Sequence, residues 1–293
     1  MLNDSAKYSG SIVCMGLDPV EKQIPDSCGK SPSEKISTFY LSIFDRMEET
    51  GIYPAMLKPN QGFFKQYDKP LEFDFGGSEA LADLILEIRD RENLRNIPIT
   101  LDFKRGDIGK SSANYAAEGF EGWGADAVTI HPYMGSDSVK PFANYEGKIA
   151  YVLTRTSNEG RKDMQDLVLQ DGRKLYQATA QEIVKWNAGV KGTLGSVLGA
   201  TSPDELESAA KYFVEVDMMI PVLIPGVGAQ GGSGSDVRKR LDKAGYDLRR
   251  TRINSSSGIS FRYLEKGKET KDFAGAAIQG IEELNKDIGK LDF

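Results

Sequence analysis

Residues 101–109 (Leu-Asp-Phe-Lys-Arg-Gly-Asp-Ile-Gly) bring two carboxylates and an ammonium group together at the end of an apolar run. The run predicts a buried strand, on which alternate side chains share a face, so Asp102 and Lys104 point the same way. A turn at Gly106 then brings Asp107 back as a second carboxylate beside the ammonium. Holding charges together in this way costs folding free energy, and such a cost is typical of functional sites. The pattern therefore favours a catalytic lysine over a surface salt bridge.

A glycine-rich segment, residues 225–232 (Pro-Gly-Val-Gly-Ala-Gln-Gly-Gly), directly follows another apolar run. Because glycine has no side chain to shield the backbone, its N–H groups can converge on an anion. We therefore expect Gly228 and Gly231 to help bind a phosphate group rather than to form a merely flexible turn. In barrels of parallel strands, the phosphate site often lies between the loops that follow the seventh and eighth strands.

Two further ionisable residues stand at the ends of apolar runs. Lys58 would meet Asp102 on the next strand of a barrel, which predicts an alternating network of Lys58, Asp102, Lys104 and Asp107. Asp18 precedes a proline, and it either forms a turn or accepts a hydrogen bond from a hydroxyl group such as that of a sugar.

The composition excludes several other classes of function. The chain has one histidine, His131, which is more typical of a structural residue than of a general base, and two cysteines, Cys14 and Cys28. Their spacing suits neither a metal site nor a disulfide framework, so we expect neither. A formal net charge of −6 argues against general binding to nucleic acid or to an anionic membrane. No stretch is typical of a membrane span or a signal peptide, so we expect a cytoplasmic protein.

Eight short apolar runs alternate with amphipathic segments along the chain. The alternation predicts an α/β protein, a (β/α)8 TIM barrel in which residues 1–293 form a single domain. An open, doubly wound sheet is the alternative, but no run leads into a Gly-x-Gly-x-x-Gly turn. We expect helices over 33–49, 78–91, 111–122 and 175–188, and another that begins at Ser202-Pro203. The predicted strands are 11–17, 53–58, 97–103, 126–131, 149–154, 196–200, 221–225 and 251–256.

The barrel gives these patterns a common location. Active residues of such barrels lie at the carboxyl ends of the strands and in the loops that follow. The positions there are rich in polar residues and glycine: Asp18, Lys58, Asp102, Lys104, His131, Ser157, the loop 225–232 and residues 256–258. The sequence therefore predicts a functional site at this end of the barrel.

Together these motifs resemble those of the orotidine 5′-phosphate decarboxylase family, in its longer bacterial subgroup, over about residues 16–258. The most specific motif is Asp102-x-Lys104-x-x-Asp107-Ile108-Gly109. Its Asp-x-Lys-x-x-Asp core is shared with sugar-phosphate decarboxylases of the same superfamily, so the core alone leaves the substrate open. The motifs that favour the orotidylate enzyme are Gly16-Leu17-Asp18-Pro19, Lys58-Pro59, Thr156-Ser157-Asn158 and residues 225–232.

The resemblance implies decarboxylation of orotidine 5′-phosphate to uridine 5′-phosphate and carbon dioxide without a cofactor. Lys104 would protonate C6 of the pyrimidine, while Asp102 would lie beside the substrate carboxylate and keep Lys104 charged. Lys58 and Asp18 would bind the ribose hydroxyls. With no cofactor to accept electrons, fixed charges would stabilise the developing carbanion.

The resemblance also implies a homodimer whose active site is shared across the interface. Asp107 and Ser111 would come from the second subunit and complete the site. Ser157 would contact the pyrimidine, and Gln230 the phosphate. Beyond the second subunit, the small-molecule substrate is the expected partner.

One position departs from the family pattern. Relatives usually carry an arginine after the eighth strand, where this chain has Ser257 in the stretch Ile-Asn-Ser-Ser-Ser-Gly. A hydroxyl there replaces a bidentate contact between guanidinium and phosphate, which predicts weaker phosphate binding and slower turnover. Arg252 and Arg262 are close in sequence, and Arg252 is the better candidate to compensate.

Two alternatives stay open from the sequence. One is a metal-dependent sugar-phosphate decarboxylase of the same superfamily, which would need a residue other than Lys58 on the second strand. The other is a non-catalytic nucleotide-binding paralogue, which Ser257 alone suggests. The intact set of Lys58, Asp102, Lys104 and Asp107 counts against the second alternative, because such charges are costly without a role.

Overall fold

The computed structural model describes residues 1–228 and 231–291, and within these ranges eight parallel strands form a single sheet. All of the predicted strands are present, with ends that differ from the prediction by a few residues. The strands are short and largely buried, as expected for a parallel sheet that is covered by helices. In chain order they are β1 Val13–Leu17, β2 Met56–Pro59, β3 Thr100–Arg105, β4 Ala127–Ile130, β5 Ile149–Arg155, β6 Thr193–Leu198, β7 Val222–Ile224 and β8 Thr251–Ser255.

The order of the strands closes the sheet into a barrel. Neighbouring strands pair in the order β2-β1-β8-β7-β6-β5-β4-β3. Isolated parallel bridges, from Leu57 to Ile99 and from Asn60 to Asp102, then join β2 to β3. The predicted (β/α)8 barrel is therefore confirmed, and the carboxyl ends of its strands meet at one end. The assignment of residues 1–293 to a single domain stays a prediction.

Helices connect the strands, and α2 shows how the sequence sets their ends. Ser31 and Glu34 form a capping box, Pro32 takes the first helical position, and Gly51 ends the helix at φ 69°. A π-helical turn, Glu118–Gly122, extends α5. The α-helices are α1 Leu2–Ser9, α2 Pro32–Thr50, α3 Gln61–Lys65, α4 Gly76–Asp90, α5 Gly109–Ala117, α6 Ser136–Val139, α7 Arg161–Met164, α8 Leu175–Trp186, α9 Pro203–Glu215, α10 Gly234–Lys243, α11 Ser257–Ser260 and α12 Phe273–Ile288.

Two helical features differ from the expectation. After β4 the chain forms the single turn of α6 in place of a full helix. Ser202 precedes α9 as predicted, but its buried hydroxyl makes no hydrogen bond within the described ranges. The helix thus begins from Pro203 and an acidic first turn rather than from a side-chain cap. Among residues 1–228 and 231–291, no helix has both the length and the apolar composition that a bilayer crossing requires.

Packed side chains close the amino-terminal end of the barrel. The guanidinium of Arg252 is fully buried there and donates hydrogen bonds of 2.6 Å to the carbonyl of Leu2 and to Oγ of Ser5. Helix α1 is thereby held across this end. The apolar residues that pack together inside the barrel are Leu2, Cys14, Met56, Ala127, Ile149, Tyr151, Val197 and Leu223. The carboxyl end of the barrel is therefore the end that can admit a ligand.

Candidate active site

A cavity of about 710 Å³ opens at the carboxyl ends of the strands. Charged residues line one part of its wall, and apolar residues line another. The size and the mixed lining suit a small ligand that has both polar groups and an apolar face. The charged residues are Asp18, Lys58, Asp102 and Lys104, and the aliphatic ones at the strand ends are Leu153, Val197 and Leu223.

A carboxylate between two lysines lies at the centre of the charged wall. Asp102 is only 7% exposed, and each of its oxygens binds one lysine. Nζ of Lys58 lies 2.9 Å from Oδ2, and Nζ of Lys104 lies 2.5 Å from Oδ1. Lys58 is buried, whereas the side chain of Lys104 is 48% exposed at the mouth of the cavity. The structure thus brings together three of the four residues of the predicted network.

The charges of this cluster shift the pKa values of Asp102 and Lys58. Burial alone would raise the pKa of Asp102, but the charges of Lys58 and Lys104 and their hydrogen bonds outweigh it and hold this pKa far below its ordinary value. Burial would likewise lower the pKa of Lys58, but the charges of Asp102 and Asp18 raise it above its ordinary value. Asp102 and Lys58 are therefore both ionised near neutral pH.

Lys104 has an unusual backbone conformation, with φ 46° in the left-handed region. A residue with a side chain adopts this conformation at a cost in free energy, and such residues cluster at functional sites. The ladder between β3 and β4 is interrupted here, because Leu101 pairs with Val128 but Arg105 pairs with Ile130. This bulge presents Lys104 to the cavity. Nothing in the sequence indicated it.

Asp107 does not join the cluster within its own chain. Its carboxylate accepts a hydrogen bond of 2.6 Å from the N–H of Ile108, and Lys104 pairs with Asp102 alone among the described residues. The ring of His131 packs against Gly106, where any side chain would overlap with it. The turn therefore does not return Asp107 beside the ammonium, which corrects the expectation for a single chain.

Ser111 lies in the first turn of α5, outside the lining of the cavity. Three other predicted binding residues, Asp18, Ser157 and Ser257, do line it. Oδ1 of Asp18 is buried without a hydrogen-bond partner within the described ranges, so it can accept one from a ligand hydroxyl. Gly16 allows the loop after β8 to pass close by, since a side chain there would overlap with Ser256.

The glycine-rich loop uses its own N–H groups. The N–H of Gly228 donates to the carbonyl of Gly232 at 3.0 Å, and the N–H of Gly231 donates to the carbonyl of Gly228 at 2.8 Å. These two N–H groups are therefore not free to converge on an anion, contrary to our expectation. Gly226 lines the cavity instead. Gln230 lies outside the described residues.

Neither Arg252 nor Arg262 can compensate for the missing arginine at position 257, contrary to our expectation for Arg252. The guanidinium of Arg252 lies at the closed amino-terminal end, so it cannot replace an arginine at the position of Ser257. Arg262 forms ion pairs with Glu265 and Glu283 and does not line the cavity. Among the described residues of the lining, Lys58 and Lys104 are the only lysines or arginines.

Thr129 and Asn254 are among the polar residues of the cavity that the sequence reasoning missed. Thr129 on β4 donates a hydrogen bond of 2.7 Å to Oδ1 of Asp102. Asn254 on β8 lines the cavity, and its buried Oδ1 has no partner within the described ranges. Thr129 lies two residues before His131, and Asn254 lies two residues before Ser256. His131 and Ser256 were both predicted to lie at the carboxyl ends of strands. Strand alternation puts Thr129 and Asn254 on the inner face, so that signal could have found them.

These features first define a class of protein. A (β/α)8 barrel with paired lysines and a buried carboxylate in its carboxyl-end cavity is an arrangement that stabilises negative charge on a small ligand. In the part of the chain that the structure describes, no group of three or more histidine, cysteine, aspartate or glutamate side chains could hold a metal ion.

Comparisons with known proteins give the family. The model of the orotidine 5′-phosphate decarboxylase / HUMPS family matches residues 11–261. The orotidine 5′-phosphate decarboxylase of Haloarcula marismortui is 35% identical over 99% of this chain and 98% of its own, and that of Bordetella pertussis is 36% identical over 93% and 92%. The structure of the Leishmania donovani OMP decarboxylase covers 98% of this chain and 97% of its own, with 32% identity and a TM-score of 0.71. This chain belongs to the orotidine 5′-phosphate decarboxylase / HUMPS family; the subgroup stays a prediction.

Asp102→Asn tests the coupling of the buried charges. The substitution leaves Lys58 buried without its main counter-ion, so we expect a loss of about 3 kcal/mol in the free energy of unfolding near pH 7. In the wild type, the raised pKa of Lys58 contributes stability that is complete below the ordinary lysine value of 10.5 and is lost as the pH rises through the folded-state pKa.

In Asp102→Asn we expect the pH dependence of stability to reverse its sign, because burial lowers the pKa of Lys58 and the more distant charge of Asp18 opposes it without Asp102. Stability should then rise as the pH increases towards 10.5, where the unfolded lysine also loses its proton. Urea unfolding at several pH values between 6 and 10 measures the loss of stability near pH 7 and the rise in the variant's stability with pH. Asp83→Asn, on the exposed face of α4, is the matched control and should behave as the wild type. Equal stability and equal pH dependence of Asp102→Asn and Asp83→Asn would contradict the coupling.

Proposed function

We propose that this protein converts orotidine 5′-phosphate to uridine 5′-phosphate and carbon dioxide in the cavity at the carboxyl ends of its strands, with Lys104 as the proton donor. The reaction, that of a carboxy-lyase, follows from the family and from the full-length relatives. One observation carries the assignment of residues: the carboxylate of Asp102 is buried between the ammonium groups of Lys58 and Lys104, at 2.9 and 2.5 Å.

The charges suit the reaction at C6 of the pyrimidine. When the bond between C6 and the carboxylate breaks, its electron pair stays on C6, and the ammonium of Lys104 transfers a proton there. The exposed side chain of Lys104 can regain a proton from water. Asp102 holds the ammonium in place, so the developing negative charge meets a cation that needs no reorganisation.

The remaining cavity residues suit the remote parts of the substrate. Lys58 and Asp18 would bind ribose hydroxyls, and Ser157 would contact the pyrimidine. All three line the cavity, and Oδ1 of Asp18 has no hydrogen-bond partner within the described ranges. Ser257 is exposed at the mouth, where a phosphate group would lie between the loops after β7 and β8. Binding energy from the phosphate can then help to organise the reacting end.

A homodimer would complete this site. Within the described residues the carboxylate of Asp107 forms no ion pair with the lysines of its own chain, which leaves it available to a second copy. Ile108, the next residue in the chain, is 60% exposed, and Tyr133, in the loop after β4, is 81% exposed. In this proposal the second copy would cover these two exposed apolar side chains. Asp107 and Ser111 of one copy would thus enter the cavity of the other.

Turnover should depend on Lys104. We expect the purified protein to convert orotidine 5′-phosphate to uridine 5′-phosphate equally well with and without a chelator, and Lys104→Ala to lose at least about a thousandfold in kcat while it stays folded. Lys191→Ala, an exposed lysine before β6, is the matched control and should keep full activity.

An absorbance assay, with circular dichroism to verify folding, makes this measurement. Appreciable decarboxylation by Lys104→Ala would refute the proton-donor role. Loss of wild-type activity on chelation would favour the sugar-phosphate branch of the superfamily, and binding of uridine 5′-phosphate without turnover would indicate a non-catalytic paralogue.

Mixing inactive variants tests whether the site is shared. A dimer of one Lys104→Ala copy and one Asp107→Ala copy has one site with both lesions and one intact site, so random exchange should restore about a quarter of the wild-type activity. Lys104→Ala mixed with Lys58→Ala is the matched control, because both residues would belong to the same subunit's site. Native mass spectrometry verifies the mixed dimers. Mixed dimers of the first pair without activity would contradict a shared site.

Ser257→Arg tests the phosphate end. A guanidinium at this exposed position should make a charge-assisted contact with the phosphate, so we expect inhibition by uridine 5′-phosphate to tighten by about tenfold. Inhibition by uridine, which lacks the phosphate, should not change. If both inhibitors respond equally, or neither responds, position 257 does not face the phosphate.

A further inference from the structure

Thr129 contacts both partners of the Asp102–Lys104 pair. Its hydroxyl donates a hydrogen bond of 2.7 Å to Oδ1 of Asp102, the same oxygen that binds Nζ of Lys104. The oxygen of that hydroxyl also accepts a hydrogen bond of 3.2 Å from the backbone N–H of Lys104. Thr129 is 2% exposed, and its hydrogen bond to Asp102 is buried, so bulk water does not compete for that contact.

The backbone contact lies where the sheet is interrupted. Between the pairs Leu101–Val128 and Arg105–Ile130, the β3–β4 ladder loses its register, and Lys104 takes its left-handed conformation. The hydrogen bond from this N–H is partly buried, and a backbone N–H that a bulge withdraws from the ladder needs another acceptor. The hydroxyl of Thr129 supplies that acceptor from a side chain.

We propose that Thr129 is a positioning residue, whose single hydroxyl fixes the carboxylate of Asp102 and the backbone of Lys104 relative to each other. The ammonium of Lys104 thereby has one fixed position relative to the substrate. This inference rests on the proposed roles of Asp102 and Lys104. Thr129 itself need not touch the reacting atoms.

Thr129→Val keeps the branched shape of the side chain and removes both hydrogen bonds, whereas Thr129→Ser keeps the hydroxyl. We expect kcat of Thr129→Val to fall by about 10- to 100-fold, and kcat of Thr129→Ser to stay within about threefold of the wild type. KM and inhibition by uridine 5′-phosphate should change by less than about twofold in both, since the loss concerns the reacting end alone.

Thr100→Val is the matched control for loss of a buried hydroxyl. Thr100 also faces the barrel interior, and its hydroxyl donates to Sδ of Met56 rather than to Asp102. This variant should lose stability without loss of kcat. Hydrogen exchange at the amide of Lys104 gives a readout that needs no turnover: it should accelerate in Thr129→Val and stay slow in Thr129→Ser and Thr100→Val.

The outcomes separate the two proposals. A wild type that does not decarboxylate orotidine 5′-phosphate refutes the proposed function, whatever the variants do. An active wild type with unchanged kcat in Thr129→Val refutes the role of Thr129, as does an equal loss in Thr129→Ser. If Thr129→Val does not fold, Thr129→Ala replaces it, and kcat values for Ala and Ser within twofold of each other overturn the proposal.

Discussion

The ion pair between Lys58 and Asp102 is the interaction on which the cavity depends. It spans the junction of β2 and β3, where isolated bridges replace the ladders that join the other neighbouring strands. On the outside of the same junction, Arg105 of β3 binds Glu118 and Gln61. Side chains therefore supply much of the closure of the barrel here, and the groups that close it are the groups that line the site.

A buried ion pair of this kind is stable only if its remaining hydrogen-bonding capacity is filled. The carboxylate of Asp102 meets this condition, since Lys58 occupies one oxygen while Lys104 and Thr129 share the other. The surplus of positive charge then faces the mouth, on the exposed side chain of Lys104. The contacts of Asp102 thus stabilise the fold and also hold the charges of the site in place. Thr129, which makes one of these contacts, also holds the strained backbone of Lys104.

The fold could be predicted from the sequence because buried parallel strands are continuous apolar runs, separated by segments with helical periodicity. The pair of Asp102 and Lys104 followed from strand alternation alone, and Lys58 from its position on the neighbouring strand. Other features depend on the path of the backbone, which composition does not encode. The bulge at Lys104 and the separation of Asp107 from the charged cluster are of this kind. Arg252 was misjudged because nearness in sequence to Ser257 does not distinguish the two ends of a strand.

The closed end of the barrel has a consequence for the order in which the chain can fold. Arg252 binds Leu2 and Ser5 across separations of 250 and 247 residues. During synthesis, helix α1 leaves the ribosome long before β8, so its partner Arg252 has not yet been synthesised. Contacts between such distant segments form late, because the entropy of closing the intervening loop must first be overcome. The apolar residues of the barrel interior therefore stay exposed in the nascent chain until β8 has emerged. Protection by a chaperone would matter most during this interval.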